Sequence, residues 1–339
     1  MADLIKIGII GAGGNTRRKH IPKLQAIPGV SIETVCNRSP ESSQAVADEF
    51  DIPRITPTWE GLVKDSDLDA IVIGTWPYMH APMSIAALNA GKHVLCEARM
   101  AMNVYEAKEM LKASHEHPEC VCQIVPSPVN LKWHRFIRRK LDEGLIGDLI
   151  AVDAFSAGSF VDPDREMTWR DDIHLSGLNT MGLGILYEAL ARCVGHAATV
   201  KASGRRYVKE RSGQELHIPD HVDAFGDLEN GASYHIRCSR LTGACPTPND
   251  VIFYGSTGTL RLGGKVQKLT LDRPNDVTQE LEPPEAEQEF WRVEEEFIGA
   301  IRGKETIRYT SFEEGLRYMD FTQKVADELQ IAPAEFRNP

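Results

Sequence analysis

No stretch of the 339 residues approaches the roughly eighteen consecutive apolar residues that a membrane-spanning helix needs, so a helical membrane protein is not expected. Excess positive charge is lacking too. Lys and Arg number 38 against 49 Asp and Glu, a formal net charge of −11. This argues against nucleic acid or an anionic membrane surface as partner, because both demand a clustered basic face. The one basic cluster, 132–140, is interleaved with Trp133, Phe136, Ile137 and Leu141 at helical spacing, and reads as the solvated face of an amphipathic helix. The seven cysteines are odd in number, scattered, and in several cases embedded in apolar runs, as buried reduced thiols are. Cys120-Val-Cys122 lacks the spacing of a C-x-x-C centre, so no metal site is expected. The amino-terminal Met1 to Ile10 lacks the basic, apolar and cleavage segments of an export signal, and a cytoplasmic location is expected. Repeats and low-complexity segments are also missing.

What is present is an ordinary globular balance, 42% hydrophobic and 26% charged, in a chain long enough for two domains. Up to residue 126 short β-rich runs (5–10, 30–36, 70–75, 93–96, 121–125) alternate with helical stretches (17–26, 39–50, 59–64, 82–90, 104–115). Such alternation predicts a parallel, doubly wound sheet of the Rossmann type. Beyond residue 126 a helix at 131–143 precedes strand-like segments at 149–161, 198–207, 222–227, 232–240, 250–254 and 258–262. A long apolar helix at 179–194 interrupts them, and helices at 285–302 and 312–329 follow. Strands that cluster in this way predict an α+β domain with a large, mostly antiparallel open sheet. The expected division is therefore 1–126 and 127–339, with 270–286, rich in Pro, Asp and Glu, as a surface excursion.

Lys6-Ile7-Gly8-Ile9-Ile10-Gly11-Ala12-Gly13-Gly14-Asn15 is a buried strand, a glycine turn and the start of a helix. Glycine lets the chain turn sharply and approach a pyrophosphate, to which the helix presents free N–H groups. Gly11, Gly13, Gly14 and Asn15 are thus candidate dinucleotide contacts, although Thr16 stands where a third glycine is usual. The second strand ends at Asn37-Arg38-Ser39 rather than at an acid. A carboxylate there would favour NAD by repelling a 2′-phosphate; its absence leans toward NADP within an NAD(P) assignment. The other reading has Asn37 on a ribose and Arg38 on adenine, compatible with NAD. At the carboxyl edge of the sheet Thr75-Trp76-Pro77-Tyr78-Met79-His80 follows, where Trp76 and Tyr78 either wall the nicotinamide ribose or pack between domains.

These residues resemble the glucose-fructose oxidoreductase, inositol dehydrogenase and rhizopine-catabolism (Gfo/Idh/MocA) family. The resemblance runs through Gly11 to Gly14 with His20-Ile21-Pro22, Asn37-Arg38, Thr75 to His80, Gly91-Lys92-His93-Val94-Leu95-Cys96-Glu97, Gly144-x-Ile146-Gly147, Trp169-Arg170 and Tyr254 to Leu260. It implies a Rossmann domain, a carboxy-terminal open-sheet domain for substrate and oligomerisation, and NAD(P) in contact with Thr75, Pro77, His80 and Glu97 among others. It also implies oxidation or reduction of a small-molecule sugar or cyclitol carbon, in a homodimer or homotetramer. The family's E-K-P motif, however, reads Glu97-Ala98-Arg99, and in the best register of its D-x-G-x-H motif Gly182 and Leu186 replace the two polar residues around Gly184. The lysine, aspartate and histidine expected to handle protons are all missing.

Three residues are candidates for the lost work. His174 has the reference pKa best suited to proton transfer near neutrality, its alternative being a surface histidine, and Tyr187 neighbours the lost histidine, although its direction round the helix favours core packing. Arg99 is a fixed cation near the lost lysine, able to hold a carboxylate, sulfonate or phosphate but not to act as a base. Trp169, Arg170 and Asn179 are candidate substrate contacts. Their alternatives are loop packing for Trp169, pairing with Asp171 or Asp172 for Arg170, and a helix N-cap for Asn179. The leading expectation is an NAD(P)-dependent oxidoreductase of a sugar, sugar acid, glycoside or cyclitol carbinol. Beside it stand a glycoside-cleaving enzyme that oxidises transiently and eliminates, and a non-catalytic nucleotide-binding sensor.

Overall fold

The computed structural model describes residues 4–158, 162, 164–178, 182–242, 245, 249–263 and 267–331. The chain divides into two compact units: residues 1–126 with 292–319, and residues 127–291 with 320–339. Among the described residues no helix is long and apolar enough to cross a membrane.

The first unit is built on six parallel strands, β1 (Ile5–Ile10), β2 (Val30–Cys36), β3 (Arg54–Ile55), β4 (Ala70–Ile73), β5 (His93–Cys96) and β6 (Cys122–Ile124), in the spatial order β3-β2-β1-β4-β5-β6. β4 is buried at every residue and β1 at every residue but Lys6, the signature of strands covered on both faces. The connecting helices start where the sequence supplies caps. Ser39, Thr58 and Asn103 each accept a backbone N–H three residues on, opening Pro40–Phe50, Trp59–Val63 and Val104–Glu116. The strand order reverses on either side of β1, so the ends of β1, β2 and β4 open onto the crevice where ligands of such sheets bind.

Residues 292–319, which the sequence reading grouped with 127–339, pack in this unit. The backbone of Ile124 on β6 exchanges hydrogen bonds with Thr310 (2.9 and 3.4 Å). The Gln123 amide donates to Glu296 Oε2 (2.9 Å) and to the Tyr309 carbonyl (2.6 Å), so the returning segment satisfies the open edge of the sheet.

The second unit holds an eight-stranded sheet in the order Gln279–Leu281, Lys268–Asp272, Thr259–Gly263, Val251–Gly255, Leu149–Ala157, Ser233–Ser239, His221–Asp227, Lys201–Arg205. Only the Leu149–Ala157 and Ser233–Ser239 pairing is parallel. Register places Val152, Tyr234, Phe253, Leu260 and Leu271 in one cross-sheet row and Ala154, Ile236, Val251, Leu262 and Leu269 in the next, all buried. The opposite face carries Asp153, Asp223, His235, Arg237 and Arg261, with the Asp223 carboxylate accepting from His221, His235 and Arg237 at 2.7 to 2.9 Å.

Two features of this unit differ from expectation. The acid-rich stretch at 270–286 is no simple excursion, because it completes Lys268–Asp272 and contains the edge strand Gln279–Leu281. The basic helix His134–Asp142 is not merely solvated. Arg135 pairs with Glu289 (2.9 Å), Arg139 with Glu287 through two bonds (2.8 and 3.0 Å), and the preceding Lys132 with Glu282 (3.0 Å). Acids from Glu282 to Glu289 thus neutralise part of the basic cluster.

Candidate functional site

The glycine turn begins directly after β1. Gly11 has φ +81°, its N–H donates to Cys36 O (2.8 Å), and a Cβ on it would lie 2.6 Å from Thr75 Cγ2. Only glycine fits both the conformation and the approach to the end of β4. The next amide, Ala12 N–H, donates to Asn37 Oδ1 (2.7 Å), while Asn37 Nδ2 donates to Ser42 O (3.0 Å) and Asn37 N–H to Ser43 Oγ (2.8 Å). Asn37 therefore ties the turn to the helix after β2 as well as facing the crevice.

Thr16, at the usual third-glycine position, is 1% exposed, and the missing glycine is found across the interface instead. A Cβ on Gly74 would stand 2.1 Å from Thr16 Oγ1 and 2.4 Å from Gly11 O. Close helix-to-strand packing, ordinarily allowed by a glycine on the helix, is here allowed by a glycine on the strand. Gly13 and Gly14 differ in kind, since a Cβ on Gly13 would find nothing nearer than Gly74 O at 3.5 Å and one on Gly14 nothing within 4 Å. Gly74→Ala should cost about 1–3 kcal/mol by overpacking. Gly13→Ala should change stability by less than about 0.5 kcal/mol and yet weaken nucleotide binding. Denaturant titration and nucleotide titration of both variants check the pair.

A cavity of about 350 Å³ lies at these strand ends, lined by Gly11 to Gly13, by Asn37 to Ser39 with Ser42, and by Gly74 to Trp76 with Tyr78. The Arg38 guanidinium sits 5.1 Å from the Trp76 ring centroid, and the Trp76 and Tyr78 rings are 6.4 Å apart. Trp76 thus shares the β2 side of the crevice with Arg38. Among the described residues no carboxylate lines the cavity.

Pro77 is buried and opens the short turn Pro77–Met79. His80 is fully buried, its Nδ1 2.6 Å from Arg99 O and its Nε2 3.1 Å from Thr75 O. Burial lowers its pKa, and the neutral ring has a single N–H to give. His80 links the Thr75 turn to the segment after β5 rather than presenting a free nitrogen. Arg99 is 7% exposed in that same segment.

Asn15 and Glu97 meet in a polar cluster that composition and spacing did not disclose. The helix after the turn widens to a π-helical turn over Thr16–His20, a rare distortion that often marks functional sites. His20 is buried within it. Its Nδ1–H donates to Glu294 Oε1 (2.6 Å) and its Nε2–H to Glu97 Oε1 (3.0 Å), which also accepts from Asn15 Nδ2 (2.5 Å). Burial works against charge on His20, but the hydrogen bonds it donates to Glu294 and Glu97 prevail and push its pKa up to about 9. Burial likewise raises the Glu97 carboxyl, and the His20 hydrogen bond and charge outweigh it, holding Glu97 below the ordinary glutamate value.

In the second unit the candidates separate. The Arg170 guanidinium lies 4.2 Å from the Trp169 ring centroid. Asp171, 5% exposed, accepts two bonds from Arg165 (2.6 and 2.7 Å), two from Thr168 (2.8 Å each) and one from Arg240 (3.2 Å). Asp172 caps the short helix Ile173–Ser176 by accepting the His174 N–H (2.8 Å). His174 is half-buried and lines a second cavity, of about 400 Å³. Tyr187 lies on Leu183–Val194, 2% exposed, with its ring stacked on Phe321 at 3.7 Å. Its hydroxyl accepts Ala197 N–H (3.0 Å) and lies 3.2 Å from His196 Nδ1. That is the environment of a packing residue. Asn179 falls outside the described residues.

Two family models match the chain: an oxidoreductase family with an NAD-binding Rossmann fold over residues 5–124, and the GFO/IDH/MocA carboxy-terminal domain over residues 134–261. The chain belongs to the Gfo/Idh/MocA oxidoreductase family. Among curated relatives, the 1,5-anhydro-D-fructose reductase of Ensifer adhaerens is 35% identical over 150 residues, 44% of each chain. The levoglucosan dehydrogenase of Pseudarthrobacter phenanthrenivorans is 24% identical over 67% of this chain and 60% of its own. The chain spans about half the length of the curated relatives it matches. A solved levoglucosan dehydrogenase, in complex with NADH and levoglucosan, superposes with a TM-score of 0.81 over 98% of this chain and 100% of that one at 18% identity. A biliverdin reductase from Synechocystis, in complex with biliverdin and NADP+, gives 0.78 over 96% and 98% at 17% identity. Both structures share the fold of this family member, a Rossmann sheet joined to a large, mostly antiparallel sheet.

Proposed function

We propose that the chain is an NAD(P)-dependent dehydrogenase or reductase that acts on a carbinol or carbonyl carbon of a sugar, sugar acid, glycoside or cyclitol. The observation that carries this reading is Gly13. No packing contact within the protein demands a glycine there, since a Cβ would meet nothing nearer than Gly74 O at 3.5 Å, whereas a dinucleotide pyrophosphate lying along the turn requires the close backbone approach that the second glycine of such a turn allows. The residues therefore fit the cofactor that the Rossmann fold implies. The names of the relatives, a sugar reductase and an anhydrosugar dehydrogenase, support the substrate class.

When bound, the nicotinamide accepts or supplies the hydride. The chain's own residues position and exclude. The amino-terminal end of the helix after the turn would bind the pyrophosphate. Arg38, Ser39 and Ser42, with no acid among them, suit a 2′-phosphate and favour NADP. With Ala98 in place of a base and Tyr187 committed to packing, His174 is left to take the hydroxyl proton on oxidation or return it on reduction. Trp169, with the Arg170 guanidinium 4.2 Å from its ring centroid, would pack against a sugar ring. A homodimer or homotetramer through the polar face of the eight-stranded sheet, in the cytoplasm, completes the reading.

The test is calorimetric titration with NAD+, NADP+ and their reduced forms, followed by a sugar, sugar-acid and cyclitol panel monitored for both nucleotide absorbance and product. The reading fails if no pyridine nucleotide binds. His174→Ala should lower kcat about 100- to 10,000-fold with nucleotide affinity unchanged; an unchanged kcat would remove His174 from the chemistry.

A further inference from the structure

The cavity containing His174 belongs wholly to the second unit, and its chemistry is unlike that of the rest of this acidic chain. Arg205, Arg206, His174 and His217 contribute to its wall, and among the described residues no Asp or Glu does. Ile173, Pro219, Leu329 and Ile331 supply an apolar floor. Gly204 makes that floor possible, because a Cβ there would stand 3.0 Å from Leu329 Cδ2. Arg206 is held in place, its Nη1 donating to Leu216 O at 2.7 Å. The same nitrogen is 3.2 Å from Glu215 Oε1, with side chains 40% and 67% exposed, a contact weak enough for a ligand anion to replace. The nearby Asp220 carboxylate is turned to the Tyr207 and Val208 amides (2.8 and 2.9 Å).

We infer that this cavity binds a small carbohydrate-sized anion, a carboxylate or phosphomonoester, with its charge toward Arg206 and the imidazoles and its C–H face on the apolar floor. About 400 Å³ is the low end of the range of small-molecule sites. A charge-assisted bond to a guanidinium is the strongest interaction the wall offers. Arg99, the cation that the sequence singled out for an anion, is nearly fully buried in the other unit; the second unit carries a cationic set of its own. That the anion is the substrate rests on the role proposed above for His174; that an anion binds here does not.

The experiment titrates the full chain with D-glucuronate, D-glucose 6-phosphate and neutral D-glucose. At least one anion should bind about tenfold or more tightly than glucose, with affinity falling as salt is added. Arg206→Ala should weaken that anion about tenfold or more, and His217→Ala by a smaller factor, while both variants keep the wild-type melting temperature and nucleotide affinity. Turnover of the same anion with NAD(P)+ identifies it as substrate, and binding without turnover that shifts the KM of another sugar identifies it as effector. The inference is overturned if glucose binds as well as the anions, if neither anion binds, or if both variants bind like wild type. Anion binding that persists in a protein with no nucleotide affinity would sink the proposed oxidoreductase activity and leave this site standing.

Discussion

Replacing His20 by leucine should lower the stability of the chain by about 3–5 kcal/mol, the ordinary cost of removing one member of a buried charged set. The reason lies in what remains. Glu97 and Glu294 both accept from the His20 ring, at 3.0 and 2.6 Å, and without it two largely buried carboxylates face a hydrocarbon side chain. The three residues come from the helix after the glycine turn, the end of β5 and the returning helix Val293–Ile301, so the loss is shared by three elements. A pH signature separates this charge effect from simple misfit. The His20 pKa is raised from 6.5 to about 9 in the folded protein. The folded state therefore binds the proton more tightly than the unfolded state. Its contribution is complete below pH 6.5 and fades as pH rises through about 9. Urea denaturation of the wild type from pH 6 to 10 should show that decline, and His20→Leu should not. If the two profiles run parallel, the imidazole is neutral in the fold and the charge argument is wrong. Asn15 reaches the same Glu97 oxygen, so the variant should also weaken nucleotide binding through the turn it disorders.

Much of this arrangement is visible in the residues themselves. Apolar runs such as Ile5 to Ile10 and Val30 to Cys36, with a glycine turn and helix after the first, mark a buried parallel sheet and its ligand edge before any coordinates are considered. Local signals stop at partner choice. The amphipathic pattern of Val293–Ile301 says that one face is buried and not in which sheet's company, so its return to β6 went unseen. Tyr187 is placed by helical period on an inward face, but Phe321 and His196, which define its role, lie elsewhere in the chain. The glycine pattern showed Thr16 as a defect; that Gly74 compensates is a fact of packing between distant residues. Likewise His20 belonged to a recognisable motif, while nothing local announced Glu294 as its second partner.

Asp171→Ala is the other large effect, expected at about 3 kcal/mol, because it removes one acceptor from five donor contacts at once. The cost is kept from rising further by solvent, since the Arg165 and Arg240 side chains are 34% and 29% exposed and part of their charge can rehydrate. The consequence for function is local. Arg165, Thr168 and Asp171 close a loop that leads directly through Trp169 and Arg170 to His174, and Arg240, the residue after the strand Ser233–Ser239, fastens that loop to the sheet. Freed of the clamp, the loop should hold the proposed sugar contacts and the proposed acid/base less exactly in place, raising KM and lowering kcat together while nucleotide affinity in the other unit stays constant. Burial acts against the Asp171 carboxylate, but hydrogen bonds from Arg165 and Thr168 overcome it and hold its pKa well below the usual aspartate value. Its stabilisation is thus intact above the ordinary carboxylate range and diminishes as pH falls below it, the reverse of the His20 trend. Paired denaturation curves at acid and alkaline pH should therefore assign each loss to its own residue. Should Asp171→Ala match the wild type in stability and in KM, the clamp is incidental and Trp169, Arg170 and His174 owe their positions to something else.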